Sequence, residues 1–187
     1  MTTARERTSL TLMASKRRPK ALLEARKDFL DQWAMLGPAW GVNRTMSQIH
    51  ALLMIQDEPM NTDQIMAELG VSRGNAHANL KELLTWGLLK SVKIPGDRKD
   101  YFEAEKDVWR VVQLITRERK RKELQPVLDT LSDCLDKTRG LKDPDSKAFR
   151  KQIKEIQDLA DLADRVMERI ANRKAGIILP WLLKFLA

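Results

Sequence analysis

The spacing of apolar residues changes once along this chain, at Leu88. Before this residue, apolar side chains recur every three or four positions, as they do in amphipathic helices. From Leu88 to Ile94 they follow a period of two, as in a strand, and Pro95-Gly96-Asp97 then supplies a turn before a second strand over residues 101–105. A hairpin of two such strands is too small to fold alone, so we expect it to pack against the preceding helices.

Helix start and stop signals divide the segment before the hairpin into four predicted helices. Each has apolar residues at helical spacing and therefore one face that a core can bury. The last three helices followed by the hairpin are the outline of a winged helix-turn-helix, a mainly α fold with a small β-hairpin wing. The predicted boundaries are Gly37 and Pro38 at the end of the first helix, Thr45 or Ser47 as cap of the second, Asn61 or Thr62 as cap of the third, Gly70 at its end and Ser72 as cap of the fourth.

A long helical region follows the hairpin. Pro126 predicts a kink or a fresh helix start within it, and residues 138–145 predict a loop. Beyond that loop, apolar residues repeat in steps of four and three from Phe149 to Ile170, which is a heptad seam. One helix cannot bury such a seam unaided, so we predict a helical dimerisation layer built from both ends of the chain.

These signals divide the chain into four predicted parts. The apolar run at residues 177–187 belongs to the last of them, and we expect it to pack on a partner subunit or on the first helix, with attachment to a membrane surface as the alternative. The parts are a basic N-terminal arm at residues 1–20, an N-terminal dimerisation helix and loop at 21–42, a winged helix-turn-helix domain at 43–106 and a C-terminal helical dimerisation region at 107–187.

Composition narrows the functional class. The chain has 34 Lys and Arg residues against 26 Asp and Glu residues, and the resulting net charge of +8 favours a polyanionic partner. One cysteine and two histidines leave no cluster of transition-metal ligands, and we find no Gly-rich phosphate loop or nucleophile paired with a base. We therefore expect neither a cofactor nor an enzyme.

The apolar run at residues 177–187 is shorter than the roughly 20 residues that cross a bilayer, so we expect a cytoplasmic, nucleoid-associated protein without a membrane partner.

The outward side of the fourth helix and the turn of the hairpin carry the predicted DNA contacts. A recognition helix enters the major groove by its N-terminal half, where Arg73 can donate two hydrogen bonds to guanine and Asn75 can pair with adenine or phosphate. Basic residues farther along this helix and in the hairpin turn would meet phosphates or the flanking minor groove. The predicted DNA-contacting residues are Ser72, Arg73, Gly74, Asn75, His77, Ala78, Lys81, Arg98 and Lys99.

Each of these residues also has a simpler interpretation. Arg73 could be a solvated surface charge, Asn75 a helper in capping its helix, and His77 an exposed residue without a role. The competing function is a winged-helix module for protein–protein interaction, in which the helical ends form the contact surface and no DNA sequence is recognised. Loss of salt-sensitive DNA binding would distinguish this module from a regulator.

Five stretches of the chain carry a resemblance to a known family, namely Val71-Ser72-Arg73-Gly74-Asn75, Asn79-Leu80-Lys81-Glu82-Leu83, Trp86-Gly87-Leu88, Gly96-Asp97-Arg98-Lys99-Asp100-Tyr101-Phe102 and Ala104-Glu105-Lys106-Asp107-Val108-Trp109. Through them the chain resembles the GbsR-type branch of the MarR superfamily of transcription regulators over about residues 20 to 135. The resemblance implies a homodimeric winged-helix repressor acting on double-stranded DNA, often tied to osmoprotectants such as glycine betaine, with choline-like ligands for some members. We expect the dimer to bind a pseudo-palindromic operator.

Tryptophan is over-represented among the few aromatic residues, with five Trp against one Tyr and four Phe. Its ring is the strongest cation–π partner, so a cage of Trp33, Trp40, Trp86 and Trp109 could hold a quaternary ammonium effector. The alternative is ordinary core packing, particularly for Trp86 and Trp109, which flank the hairpin.

Overall fold

The computed structural model describes residues 19–39 and 41–172 of the 187-residue chain. The predicted basic arm, apart from its last two residues, and the apolar run at residues 177–187 lie outside the described residues. The elements in chain order are α1 (Lys20–Ala39), α2 (Arg44–Met54), β1 (Met60–Asn61), α3 (Thr62–Leu69), α4 (Arg73–Thr85), β2 (Leu89–Lys93), β3 (Asp100–Ala104), α5 (Val108–Arg119), a π-helical turn (Lys120–Leu124), α6 (Gln125–Thr138) and α7 (Pro144–Asn172).

Contacts divide these elements into two compact units. The first consists of residues 1–81 with 92–102, as far as they are described, and the second of residues 82–91 with 103–187. The core of the first unit is built around fully buried aliphatic side chains of α2, α3 and α4, namely Ile49, Leu52, Leu53, Ile65 and Leu80. No helix among the described residues is long and apolar enough to cross a membrane.

Side chains next to the helix ends fix where α2 and α3 begin. Asn43 caps α2, because its Oδ1 accepts a hydrogen bond from the Thr45 backbone N–H at 2.8 Å. The predicted cap at Thr45 or Ser47 is therefore wrong by two residues or more. Asn61 caps α3 as predicted and forms a capping box with Gln64, in which each side chain accepts from the other's backbone N–H.

The first helix does not end at Gly37 and Pro38, as the sequence predicted, but continues to Ala39. Gly37 is buried against Ser47 of α2, and its lack of a side chain lets the two helices approach. Pro38 lies in the last turn, where its missing N–H removes a single helical hydrogen bond. The helix therefore ends one residue after the Gly-Pro pair.

We expect Gly37→Ala to lower the free energy of unfolding by about 1–3 kcal/mol. A Cβ at this position would lie 2.1 Å from Ser47 Oγ and 2.9 Å from Ser47 Cβ, and rotation of the hydroxyl cannot relieve the second contact. Urea denaturation of both proteins measures the difference. Gly74→Ala is the control, because a Cβ there meets no atom within 4 Å and Ala favours the helix. Equal stability of Gly37→Ala and wild type would contradict this packing account.

The hairpin belongs to a sheet of three strands, in the order β1-β3-β2. β1 pairs antiparallel with β3, and its two residues Met60 and Asn61 lie opposite Phe102 and Tyr101. The sequence predicted the two strands of the hairpin but missed β1, the short third strand of the sheet. Its two residues are too few to show any periodicity, and the pairing partner is distant in sequence.

The second unit contains the C-terminal helices. Pro126 lies in the first turn of α6, and the backbone stays helical from α5 into α6, so the kink or fresh start predicted at Pro126 takes the form of a π-helical turn directly before it. α7 packs against α5, the π-helical turn and α6. The carbonyl of Ala171 accepts a hydrogen bond from Arg117 of α5, and Asp164 pairs with Lys120 of the π-helical turn. Other apolar side chains of α7 remain exposed in the single chain, namely Phe149, Ile156, Leu159 and Leu162.

Candidate nucleic-acid interface

The N-terminal part of α4 presents an exposed surface. The helix begins at Arg73, directly after Ser72, whose Oγ accepts a hydrogen bond from the Asn75 backbone N–H at 3.4 Å. Ala76 and Leu80 point into the core. All seven predicted DNA-contacting residues in or next to this helix are solvent-exposed, namely Ser72, Arg73, Gly74, Asn75, His77, Ala78 and Lys81.

Asp63 joins this surface to the turn of the hairpin. The residue lies in the first turn of α3 and accepts hydrogen bonds from Arg73 Nη2 at 2.7 Å and from Lys99 Nζ at 2.9 Å. The donation from Lys99, and secondarily the charge of Arg73, hold the pKa of Asp63 below its ordinary value. The same contact raises the pKa of Lys99. The ion pairs therefore bring together two of the predicted DNA-contacting residues.

These ion pairs are open to solvent, since the side chains of Arg73 and Lys99 are 73% and 53% exposed. Exposed pairs contribute little to stability, because water and salt screen them. A DNA phosphate or base edge can therefore replace Asp63 as the partner of either cation. Asp63 was not a predicted site residue, and the sequence carries no local signal for it, since its partners lie 10 and 36 positions away.

Asn75 is held in a network between helices. Its Nδ2 donates to Thr45 Oγ1 of α2 at 3.0 Å, and its Oδ1 accepts from Asn79 Nδ2 at 2.7 Å. Asn79 is buried and also donates to the Asn75 backbone carbonyl at 2.8 Å. In this arrangement the amide of Asn75 holds α4 to α2, whereas the simpler interpretation had it help to cap its own helix. Contact with an adenine would require this network to rearrange.

The turn of the hairpin is shaped by Asp97. Its carboxylate accepts hydrogen bonds from the Lys99 backbone N–H at 2.9 Å and from the Tyr101 hydroxyl at 2.8 Å, and these two bonds lower its pKa. Gly96 takes a left-handed conformation with φ of 88°, which only glycine adopts without strain. The two predicted DNA-contacting residues Arg98 and Lys99 are exposed at this ordered turn.

Three of the four tryptophans of the predicted cage lie within the described residues. The Trp33 ring lies 5.3 Å from that of Phe29 in α1, and Trp109 is half-buried at the start of α5. The Trp86 ring is contacted by Lys122 Nζ at 4.8 Å from its centroid. Trp40 lies outside the described residues. The cage therefore stays a prediction, and the cation that Trp86 contacts belongs to the protein itself.

The exposed α4, the preceding helices and the three-stranded sheet define a winged helix of the MarR type. Residues 40–100, about a third of the chain, match the model of the MarR family. A solved structure described as the crystal structure of a transcriptional regulator is 16% identical, with a TM-score of 0.62 over 80% of this chain and 97% of that chain. At this identity the likeness shows the fold alone. No curated protein matches the chain. The family match therefore covers helices α2 to α4 and strands β1 and β2.

Proposed function

We propose that this protein is a sequence-specific DNA-binding transcriptional regulator, and that it acts as a repressor. The observation that carries the proposal is the exposed start of α4, with Arg73 in its first turn, beside the cationic turn of the hairpin. The net charge of +8, the MarR family match at residues 40–100 and the description of the structural neighbour as a transcriptional regulator support the same function.

In the proposed mechanism, α4 enters the major groove by its N-terminal half. Arg73 exchanges Asp63 for guanine O6 and N7, and the absence of larger side chains at Gly74 and Ala78 allows close approach. Lys81 contacts the phosphate backbone. In the same complex Arg98 and Lys99 reach the flanking minor groove or its phosphates.

We expect Asp63→Asn to tighten binding to random duplex DNA by about fivefold. The substitution removes the negative charge that neutralises Arg73 and Lys99 in the free protein, while keeping the shape of the side chain. Fluorescence anisotropy of a labelled random duplex measures the change. Asp57→Asn is the control, since it removes an exposed charge from a site without these contacts. If both variants bind random DNA equally, Asp63 does not restrain the two cations.

We propose that the protein is a homodimer and that α7 contributes to the interface. Leu159 and Leu162 are 68% and 51% exposed in the single chain, on a helix whose other side already packs against α5 and α6. An exposed apolar stripe of this length marks an interaction surface. In a dimer with a two-fold axis, the stripes of the two copies would both lie in the interface and both would be buried.

Leu159→Glu is therefore expected to weaken the dimer by about a hundredfold, because two leucines lose their burial in one symmetric interface. Sedimentation equilibrium at micromolar concentration measures the dissociation constant. Leu141→Glu is the control, since Leu141 is 48% exposed but lies in the loop before α7. A monomeric wild-type protein, or an unchanged dimer in Leu159→Glu, would contradict the proposed interface.

The finer proposal is membership of the GbsR-type branch, with control by a quaternary ammonium ligand such as choline in osmoprotectant metabolism. The family resemblance and the tryptophan content support it, and Trp33, Trp40, Trp86 and Trp109 are the proposed contacts. We expect choline or glycine betaine to change DNA affinity. A useful tenfold response needs about 1.4 kcal/mol of differential binding, which is within reach of a desolvated cation–π contact.

Selection of bound duplexes from a random pool tests the regulator proposal. We expect the enriched sequences to share a pseudo-palindrome whose half-sites lie about 10 base pairs apart. Repeating the selection with choline and with glycine betaine tests the effector. If no sequence is enriched, the protein fits the competing function, a winged-helix module for protein–protein interaction.

A further inference from the structure

The last turn of α4 is joined to the π-helical turn by three side chains. Glu82 Oε1 accepts a hydrogen bond from Trp86 Nε1 at 2.9 Å and forms an ion pair with Lys122 Nζ. The same Nζ lies 4.8 Å from the centroid of the Trp86 ring. Each of the three groups therefore contacts the other two. Hydrogen bonds from Lys122 and then Trp86 lower the pKa of the Glu82 carboxyl.

The chain directly after α4 lies beside α5 and the segment that follows β3. Gly87 has a left-handed backbone with φ of 73°, and a Cβ there would be in van der Waals contact with Leu114 Cδ2, at 3.4 Å. One residue later, the Leu88 carbonyl accepts a hydrogen bond from the Glu105 backbone N–H at 3.0 Å. The three side chains at the last turn of α4 therefore lie next to a turn with contacts of its own.

Lys122 belongs to a run of basic residues, and its neighbours bond within the C-terminal helices. Arg117 donates to the Ala171 carbonyl at 2.9 Å, and Lys120 pairs with Asp164 and Glu168 of α7. Arg121 pairs with Glu118 at 2.7 Å. Lys122, by contrast, reaches 40 positions back to the last turn of α4. The extra residue of a π-helical turn changes the direction of the side chains that follow it, and such turns are frequent at functional sites.

We propose that Glu82, Trp86 and Lys122 form a latch that positions the last turn of α4, and that DNA affinity depends on this latch although none of the three residues contacts DNA. The proposal rests on the proposed function, in which α4 recognises DNA. A rearrangement of the C-terminal helices that withdraws Lys122 would release the end of α4. The latch would then give the C-terminal region a route to control DNA binding.

The substitution Glu82→Gln distinguishes the latch from a general effect of charge, because the two explanations predict opposite changes in DNA affinity. Removing a carboxylate makes the protein more positive, so general electrostatics would strengthen DNA binding. Loss of the latch would weaken it, because Lys122 loses its charged partner. We expect at least about fivefold weaker binding to the duplex enriched by selection, a typical coupling between two sites. Asp133→Asn is the matched control, since it removes an exposed carboxylate of α6.

Lys122→Met removes the ammonium and keeps most of the apolar stem. We expect a similar loss of affinity, no further loss when it is combined with Glu82→Gln, and recovery in Lys122→Arg, which retains the charge. Lys154→Met on α7 is the control for the lost positive charge. The fluorescence of Trp86 is the part of the tryptophan emission that is lost in Trp86→Phe. We expect this part to change in Lys122→Met, which would show without DNA that the two side chains are in contact in solution.

The outcomes separate the latch from the function on which it rests. If wild type binds no duplex in preference to random DNA, the proposed function fails and the latch has no role in it. If wild type binds but either variant matches its charge control, the latch alone is overturned. Additive losses, or no recovery in Lys122→Arg, would also overturn it, because they indicate independent charge effects rather than one positioned unit.

Discussion

Replacing Arg73 by alanine is expected to weaken binding to the cognate duplex by about 1–3 kcal/mol and to relax base preference at one position. The side chain stands exposed in the first turn of α4 and pairs with Asp63, whose side chain is 44% exposed. A guanidinium in this place can donate two parallel hydrogen bonds to guanine, and alanine can donate none. Titration of the cognate duplex and of its single-base variants measures both effects.

Lys81→Ala provides the comparison, since a phosphate contact carries no base information. We expect it to weaken binding to every duplex alike and to reduce the salt dependence by about one counterion. If Arg73→Ala and Lys81→Ala lose equal affinity on cognate and random DNA, Arg73 does not recognise a base. DNA binding would then rest on charge alone.

Acidification is expected to destabilise the protein through His50. This side chain is buried in α2, its Nε2 has no hydrogen-bond partner, and burial lowers its pKa from 6.5 to about 4. The unfolded chain takes up the proton near pH 6.5 and the folded chain only near pH 4. Stability present above pH 6.5 is therefore lost as the pH falls, by about 3 kcal/mol in all.

Urea denaturation from pH 7 to pH 4 measures this loss, and His50→Gln should reduce the pH dependence by that amount. The matched control is His77→Gln, because it replaces the chain's other histidine, which is exposed on α4. If wild type and His50→Gln lose stability in parallel, burial of His50 does not link folding to protonation.

The fold was predictable where local signals decide it. The change in the spacing of apolar residues predicted where the helices give way to the hairpin. Asn61 and Asp107 cap the starts of their helices and Gly70 caps the end of α3, as their residue types indicate. The errors arise where distant residues meet. Pairing with Phe102 makes a strand of the two residues Met60 and Asn61, which the sequence did not predict.

The candidate site was predictable to a similar extent. Helical spacing alone places Arg73, His77 and Lys81 on the exposed side of α4, as the structure has them. Their partners were not predictable, because an ion pair between exposed charges leaves no periodic pattern in a sequence. The contacts of Asp63 and Lys122 are therefore seen only in the structure, although each of the two contacts a residue that the sequence analysis had named, Arg73 and Trp86.

The central claim is that this protein recognises a DNA sequence, and competition binding at about 0.15 M salt tests it most directly. A labelled duplex enriched by selection is displaced by the same unlabelled duplex or by random DNA of equal length. We predict a preference of at least about a thousandfold for the enriched duplex. Equal displacement by both competitors would contradict the claim, because the charge of the protein alone would then account for all of its DNA binding.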